Sequence, residues 1–599
     1  MNDTRTNGAD VDAGRARSGE RRRAARWTPA FLCTARLRAG GVAADALLSD
    51  LSDDGGRLVV RDPLPLAKGA EIELSIVIGR ETFARTAEVV WTDDGAEGLE
   101  AGVAFCSRPE PDERIVLDLA DLNVDPKEAL RIPTSIALRR RVLPICELDG
   151  RIVTACADVA DRSGLDAVER LFDLPALPQP VDGSKLSKTI VEVHGDPRLA
   201  AQTAETDHVA QFDQIMYAAW LRRASDIHVC PERDGVHVQL RVDGQLEPYR
   251  ILPLDLHAEL LSRIKVLAGM DIAERRAPQD GRFTQELPGD RRVDVRVATL
   301  PTNHGERATL RLLAIEAGSL TLERLGMSAA DLERCSRNLA SPHGMILATG
   351  PTGCGKTTTL YAALRAITES RAVNAIALQE PVEYDIPGIS QVEIDTSQKI
   401  TFASALRSIM RHDPDVIMIG EIRDGETANI AIKAALTGHL VLATLHTNSA
   451  ASAVTRLIDM GVARYLIAAT LRLVMAQRLV RRLCPGCRTP EPLAPAVATL
   501  LGDPSAAERT VYRPGRCVFC AGRGFHGRLG LFELIEVDRE ISDLIRKDGQ
   551  EEDVEATARR KGMNALADDA LAKLLSGDTA VHPVLGAVEV EPVARSTDA

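Results

Sequence analysis

Apolar and polar positions divide the chain into stretches with different periods. Residues 1 to 18, rich in Gly, Asp, Asn and Arg, carry no apolar period and read as a disordered tail. From Arg21 to about residue 120, the runs EIELSIVI, FARTAEVVW and LEAGVAF alternate or cluster β-formers between turn signals. Short strands of this kind predict a small β-barrel. The next stretch, to about residue 200, mixes both periods, and RRRVLPICELDGRIVTACAD predicts a hairpin turning at Asp149-Gly150. A further unit opens with the helical FDQIMYAAWLRRA and continues into SDIHVCPERDGVHVQLRVDGQL. Between about 325 and 480, apolar runs such as GMILATG alternate with helical patterns such as KTTTLYAALRAI, which predicts a parallel sheet covered by helices. Two tight cysteine pairs follow, and an Ala/Leu-rich helical segment ends near Gly577.

Composition narrows the function classes. A chain of 599 residues implies several domains, and 45% hydrophobic with 27% charged residues suits globular modules. The net charge of −13 argues against broad binding to nucleic acid, and 3% aromatics leave few base-stacking platforms. Apolar runs fall short of a membrane span, and the polar N-terminus lacks a signal-peptide core, so a cytoplasmic protein is expected. Eleven cysteines in a reducing compartment do not form a disulfide framework.

The strongest chemical signal is Gly350-Pro351-Thr352-Gly353-Cys354-Gly355-Lys356-Thr357-Thr358, set between a strand and a helix. Its glycines let backbone N–H groups converge on phosphate oxygens at a helix N-terminus. Lys356 brings a charge to the terminal phosphates of ATP, and the Thr357 hydroxyl is a ligand for Mg²⁺. In DPDVIMIGEIRD, five apolar residues of a strand lead into Glu421, a candidate to orient or deprotonate water. His439 and His446 bracket the run LVLATL, and either could report the γ-phosphate state. The alternative for each is a hydrogen-bonded core histidine.

Cys484-Pro-Gly-Cys487 and Cys517-Val-Phe-Cys520 form a C-x₂-C…C-x₂-C array. Two such knuckles place four thiolates at the corners of a tetrahedron, the closed shell of structural Zn²⁺.

The segments QEPVEYDIPGISQVEI, ALRSIMRHDPDVIMIGEIRDGETANIAIKAALTGHLVLATLHTN and QRLVRRLCPGC resemble the ATPases of type II secretion and type IV pilus assembly. The resemblance extends upstream through ASDIHVCPERDGVHVQLRVDGQL and covers roughly residues 125 to 590. It implies a homo-hexamer with a RecA-like ATPase domain, working with an inner-membrane platform protein and a membrane-anchored linker protein. The chain is then peripheral to the inner membrane, with no nucleic acid expected. It also implies that Arg241, Arg282 and Arg296, on the domain ahead of the ATPase, approach the phosphates; the alternative is structural ion pairing. One departure stands out. The family's Glu-Asp before PVEY is here Gln379-Glu380, which leaves Glu380 and Glu383 as the acids of that box and Glu421 as the safer catalytic carboxylate.

At the head of the chain, Arg22-x-x-x-Arg26 and Asp50-x-Ser52-x-x-Gly55 resemble the PilZ domain, a receptor for cyclic di-GMP. Guanidinium groups suit its phosphates and purine faces, Asp50 and Ser52 suit guanine edges, and Gly55 permits close backbone approach. The alternative is a basic tail before a barrel that binds no nucleotide.

The resulting expectation is a multidomain α/β protein. Its parts are a disordered tail (1–18), a PilZ-like β-barrel (19–122), a secretion ATPase N-terminal domain (123–200) and an arginine-supplying α/β domain (201–320). A RecA-like ATPase domain (321–480), a zinc subdomain (481–525) and a C-terminal helical segment (526–599) complete it. The expected activity is ATP hydrolysis for secretion or pilus assembly under cyclic di-GMP control. A nucleic-acid translocase and a sensor with a weakened ATPase are the rivals.

Overall fold

The alternation in EIELSIVI becomes a strand whose residues are exposed and buried in strict turn (β4, Glu71–Ile78). It belongs to a closed six-stranded barrel with β1 (Thr34–Ala39), β2 (Val42–Ser52), β3 (Gly55–Val60), β5 (Glu81–Gly95) and β6 (Gly98–Phe105), in the order β1-β2-β3-β6-β5-β4. Inward residues such as Leu37, Leu58, Ile72, Ile76 and Val89 fill it. This is a computed structural model. It describes residues 27–588, apart from 32, 40–41, 53, 61–65, 79–80, 96–97, 107–115, 120–121, 195–207, 288–290, 314–320 and 395–399. The tail 1–18, Arg22 and Arg26 lie outside the described residues.

On the outer wall, β5 bulges beside Trp91, which pairs with Gly102 of β6. The indole lies where a side chain at 102 would stand: an added Cβ would meet Trp91 Nε1 at 2.0 Å. Gly102→Ala is therefore expected to destabilise the barrel by about 1–3 kcal/mol, the usual cost of overpacking. Calorimetry of the full chain should show an earlier first unfolding transition; an unchanged profile would show that the indole swings away freely.

The described residues form two compact units, the first made mainly of the chain up to His194 with Cys517–Phe519 added. After the barrel, the first unit holds β7 (Val142–Leu148) and β8 (Arg151–Cys156), a hairpin turning at Asp149-Gly150. β9 (Ala176–Pro180) joins β8 in parallel after the helix Arg162–Phe172.

The second unit contains two sheets of different character. The first is antiparallel: β10 (Ala224–Pro231), β11 (Val236–Val242), β12 (Gln245–Leu252), β13 (Gln279–Leu287), β14 (Arg291–Thr302) and β15 (Gly305–Leu312), in the order β12-β11-β10-β15-β14-β13. Helices His208–Leu221 and Leu256–Leu267 contribute to its apolar core. Burial alternates along β11, with Val236, Val238, Leu240 and Val242 buried. One-sided burial of this kind suits an antiparallel sheet with a polar face.

The second sheet runs β18-β17-β19-β20-β16-β21-β24. Its strands are β16 (Gly344–Thr349), β17 (Ala375–Gln379), β18 (Ser390–Glu393), β19 (Val416–Ile419), β20 (Leu440–Leu445), β21 (Leu471–Leu483) and β24 (Phe525–Glu536), with β22 (Thr489–Pro492) and β23 (Thr510–Arg513) forming a separate ribbon. All its pairings are parallel except β21 with β24. Every residue of β16, β19 and β20 is buried, as expected for strands covered on both faces.

Two expectations need correction. The stretch from 526 is not helical from its start: residues to Glu536 belong to β24, and the helices begin at Arg539. The strand before Glu421 holds four residues rather than five: it ends at Ile419, and Gly420 only donates the closing bond of the ladder, its N–H to Leu378 O at 2.7 Å.

Candidate nucleotide and metal sites

Parallel pairing sends the chain out of β16, β17, β19 and β20 at one common edge. The residues that follow those strands therefore assemble there although they are distant in sequence, the usual place for a site in such sheets. The loop Gly350–Gly355 leaves β16, Gln379 ends β17, Glu421 follows β19 and His446 follows β20.

Gly350, Gly353 and Gly355 have φ of 145°, 79° and 92°, values that side chains rarely adopt. Gly355 caps the helix Lys356–Ser370, and a Cβ on Gly350 would meet Gln477 O at 2.5 Å. Lys356 is buried and donates to Gly350 O at 2.7 Å and Pro351 O at 2.9 Å, so its ammonium lies inside the loop. Burial pushes this ammonium's pKa down, while the Cys354 thiol and Glu421 oppose the shift. Thr357, in the first turn of the same helix, is half-buried.

Glu421 is held at both carboxylate oxygens. Oε1 accepts a hydrogen bond from Arg423 Nη2, and Oε2 lies 3.4 Å from His446 Nε2. Burial alone would raise its pKa. The hydrogen bond and charge of Arg423, then those of His446, outweigh burial and hold the carboxyl below its usual range. Arg423 also reaches Glu380 Oε2 through Nη1 at 2.9 Å. Glu383 follows on the same loop, its N–H 3.4 Å from the Tyr361 hydroxyl.

Gln379 is buried away from this cluster of charges. Its Nε2 donates to the Tyr361 hydroxyl and its Oε1 accepts from Gln391 Nε2 at 3.0 Å. Gln391 Nε2 also donates to Tyr384 O at 3.0 Å. The position is neutral and hydrogen-bonded on both sides of the amide, where a buried carboxylate would lack a counter-charge.

The sequence pairs His439 with His446, but the structure separates them. His439 precedes β20 at the opposite edge of the sheet, about 20 Å away for a strand of this length. Its Nδ1 lies 2.9 Å from Ala434 O at the end of a helix. His439 thus stands at the end of that helix, whereas His446 follows β20 at the phosphate loop's edge.

The three arginines also part company. Arg282 and Arg296 are direct partners on β13 and β14. Arg296 Nη2 donates to Val382 O at 2.9 Å and so reaches the acidic-box segment, while Arg282 Nη1 lies 3.7 Å from Glu393 Oε1 at the end of β18. Arg241, on β11 with two strands between, lies 3.9 Å from Asp226 and donates to Gly244 O at 3.0 Å.

Sequence reading passed over Arg423 and the β21 pair Gln477 and Arg478. Gln477 Oε1 accepts from Thr359 Oγ1 at 2.8 Å, and buried Arg478 donates to Asn448 O at 3.0 Å, bracing the loop after His446. The available signal was an arginine two residues from Glu421, and a polar pair, Gln477-Arg478, between the apolar runs LVMA and LV.

In the barrel, Asp50 is half-buried, while Ser52 is buried and donates to Gly55 O at 3.0 Å. The Ser52 hydroxyl thus closes the β2–β3 turn. Gly55 has a φ of 153°, and a Cβ there would meet Val103 O at 2.1 Å.

Cys484, Cys487, Cys517 and Cys520 are all buried, with their sulfurs within 4.8 Å of one another. Cys487 and Cys520 sulfurs lie 3.8 Å apart, and the Gly524 N–H points at Cys520 Sγ at 3.1 Å. Sulfurs bound tetrahedrally to one zinc stand about 3.8 Å apart, so the donor set and spacing fit that ion.

Comparison with known proteins finds family matches between residues 20 and 586. Residues 202–586 match the family described as type II/IV secretion system protein, residues 20–120 the PilZ domain and residues 113–198 the MshEN domain. Type II secretion system protein E of Pseudomonas aeruginosa is 40% identical over 495 residues, spanning 78% of this chain and 98% of that protein. Type II secretion system protein HxcR of the same organism is 48% identical over 377 residues, spanning 63% of this chain and 76% of its own. Type IV pilus assembly ATPase PilB of Thermus thermophilus is 38% identical over 486 residues, spanning 77% of this chain and 54% of its own.

Proposed function

The chain belongs to the family of type II secretion and type IV pilus assembly ATPases, and from that premise we propose that it hydrolyses Mg²⁺-ATP as a hexameric motor for one of these machines. The observation that carries the reading is the meeting of Lys356, Glu421 and His446 at one edge of the parallel sheet. Lys356 would turn from Gly350 and Pro351 carbonyls to the terminal phosphates, and Thr357 would hold Mg²⁺, which screens phosphate charge when bound. Glu421 would orient the attacking water. Arg296, reaching the acidic-box segment, and its strand partner Arg282, beside Glu393, would place positive charge where the transferring phosphoryl spreads negative charge. Four buried thiolates would hold one Zn²⁺ that closes the subdomain and takes no part in chemistry.

No helix among the described residues is long and apolar enough to cross a membrane. We place the motor in the cytoplasm, held at the inner membrane through its platform and linker proteins. The test of the reading is turnover of Mg²⁺-ATP by the purified chain. Binding without turnover would leave a nucleotide-dependent sensor.

The PilZ match extends the proposal to regulation by cyclic di-GMP, bound through Arg22, Arg26 and Asp50 beside the tight Gly55 turn. Each charged contact of this kind contributes about 1.5–3 kcal/mol, or roughly 10- to 100-fold in affinity. An Arg22→Ala, Arg26→Ala double variant of the full chain should lose most cyclic di-GMP binding by calorimetry while keeping its basal ATPase rate. For the ligand to regulate, it must favour one domain arrangement over another. Absence of binding heat in the wild-type chain would make the barrel a docking module.

A further inference from the structure

The scheme above gives Arg423 no task, yet few side chains at the site are so constrained. It lies in the loop leaving β19 with its side chain 58% exposed, in reach of solvent. Such an arginine would ordinarily pair loosely or not at all. Here each end of the guanidinium is engaged by a carboxylate from a different strand: Nη2 by Glu421 after β19, and Nη1 by Glu380 after β17, at 2.9 Å. The other oxygen of Glu421 lies 3.4 Å from His446 after β20. Three strand ends thus meet through one planar fork.

We propose that Arg423 is a positioning residue for hydrolysis, which aims the Glu421 carboxylate at the phosphate loop's edge and ties it to the Glu380 loop. The proposal rests on the ATPase reading of Glu421. Its warrant is geometric. A carboxylate gripped at one oxygen by a guanidinium and faced at the other by an imidazole has its plane fixed, which a water-orienting group requires. The guanidinium is in turn anchored by Glu380, so Glu421 cannot shift without disturbing the acidic box.

The substitution at Gln379 fits this arrangement. Its amide is engaged with Tyr361 and Gln391, away from the cluster, so it places no further negative charge beside Glu380. Two carboxylates then share one guanidinium. Without that cation they would repel each other, and one would tend to take up a proton.

Electrostatics supplies a readout that a merely structural arginine would not move. The groups facing Glu421 are Arg423 from its own loop, His446 from the end of β20 and Lys356 from the phosphate-loop helix. Glu380 acts on it through Arg423, and Arg478 of β21 acts on Lys356. Arg423 leads the lowering influences that hold the Glu421 carboxyl below its ordinary range. A carboxylate whose pKa is lowered stays charged as pH falls. Removing the cation raises that pKa, so activity is lost at a higher pH than in the wild type. A neighbouring arginine commonly lowers a carboxyl by about 1–3 pH units, which sets the scale of the displacement.

The experiment compares steady-state ATPase profiles of the full-length wild type, Arg423→Gln and Arg423→Lys from pH 5 to 9, with nucleotide affinity as the check on folding. Arg423→Gln should lower kcat by about 10- to 100-fold, the scale of a misplaced catalytic group. KM should change little, and the acid limb should move up by about one pH unit or more. Arg423→Lys keeps the charge but cannot span both carboxylates. It should hold the acid limb near its wild-type position and restore kcat only in part. A wild-type profile and rate for Arg423→Gln would overturn the inference while leaving the ATPase reading intact. So would a raised KM with an unmoved acid limb, because the guanidinium would then be a nucleotide contact. A wild-type chain that binds ATP without turnover would overturn the ATPase reading and the inference together.

Discussion

Glu421→Gln is expected to leave ATP bound and to cut its hydrolysis by at least ~10²-fold, the scale of a lost water-orienting or general-base group. The amide keeps the shape of the side chain, so the phosphate loop and Lys356 are undisturbed. What it loses is charge. Arg423 and His446 now hold an anion from two sides; they would face a neutral amide, and the water would lose its charged acceptor. Lys356→Ala should behave differently, weakening binding itself, because the buried ammonium is the loop's own cation. Equilibrium binding of a fluorescent ATP analogue beside single-turnover hydrolysis separates the two variants. Near-normal turnover in Glu421→Gln would move the catalytic role to Glu380 or Glu383.

The second large effect is expected at the cysteines. The protein should purify with one zinc per chain, and Cys484→Ser or Cys517→Ser should abolish that stoichiometry. Structural zinc contributes about 10–16 kcal/mol of apparent binding free energy in small zinc-dependent peptides, so a defective shell has much to lose. The loss should be local. Around the knuckles the buried apolar support is Leu483, Phe525 and Ala580, whereas the neighbouring ribbon and C-terminal helices share a larger core through Leu493, Val511, Leu571 and Leu574. Hydrogen exchange should therefore rise at residues 484–487 and 515–525 and stay low in β16 and β20. Elemental analysis finding no zinc in freshly purified, reduced wild-type protein would end the idea.

Patterns that repeat within one element were legible in the sequence. The strict alternation of β4 and the largely apolar runs of β16 and β20 name their elements without help. So does the phosphate loop, whose glycines have little other use at those φ angles. What depends on partners was not legible. The residues of β24 become a strand because β21 offers a long edge to pair with, a non-local cause that overrides local preference. His439 and His446 flank the same run symmetrically, and only the parallel order of strands decides which end meets the nucleotide loop. Arg423 was visible as a letter beside Glu421, but its second partner arrives from β17. Gln379 was visible as a departure, and its neutral surroundings of Tyr361 and Gln391 came from folding.

The length and placement of β21 have a mechanical consequence. At Ala476 it pairs with Thr349, the last residue before the phosphate loop, and Gln477 O presses against Gly350. The strand then runs on, paired with β24, to Leu483 beside the first cysteine of the cluster. It would serve as a lever whose fulcrum touches the phosphate loop and whose tip carries the cysteine knuckles. Seven residues of strand make an arm of about 23 Å, so a tilt of about 5° at the fulcrum sweeps the tip through about 2 Å. A shift too small to repack the sheet at Gly350 becomes, at Cys484, a displacement large enough to make or break a contact with a neighbour.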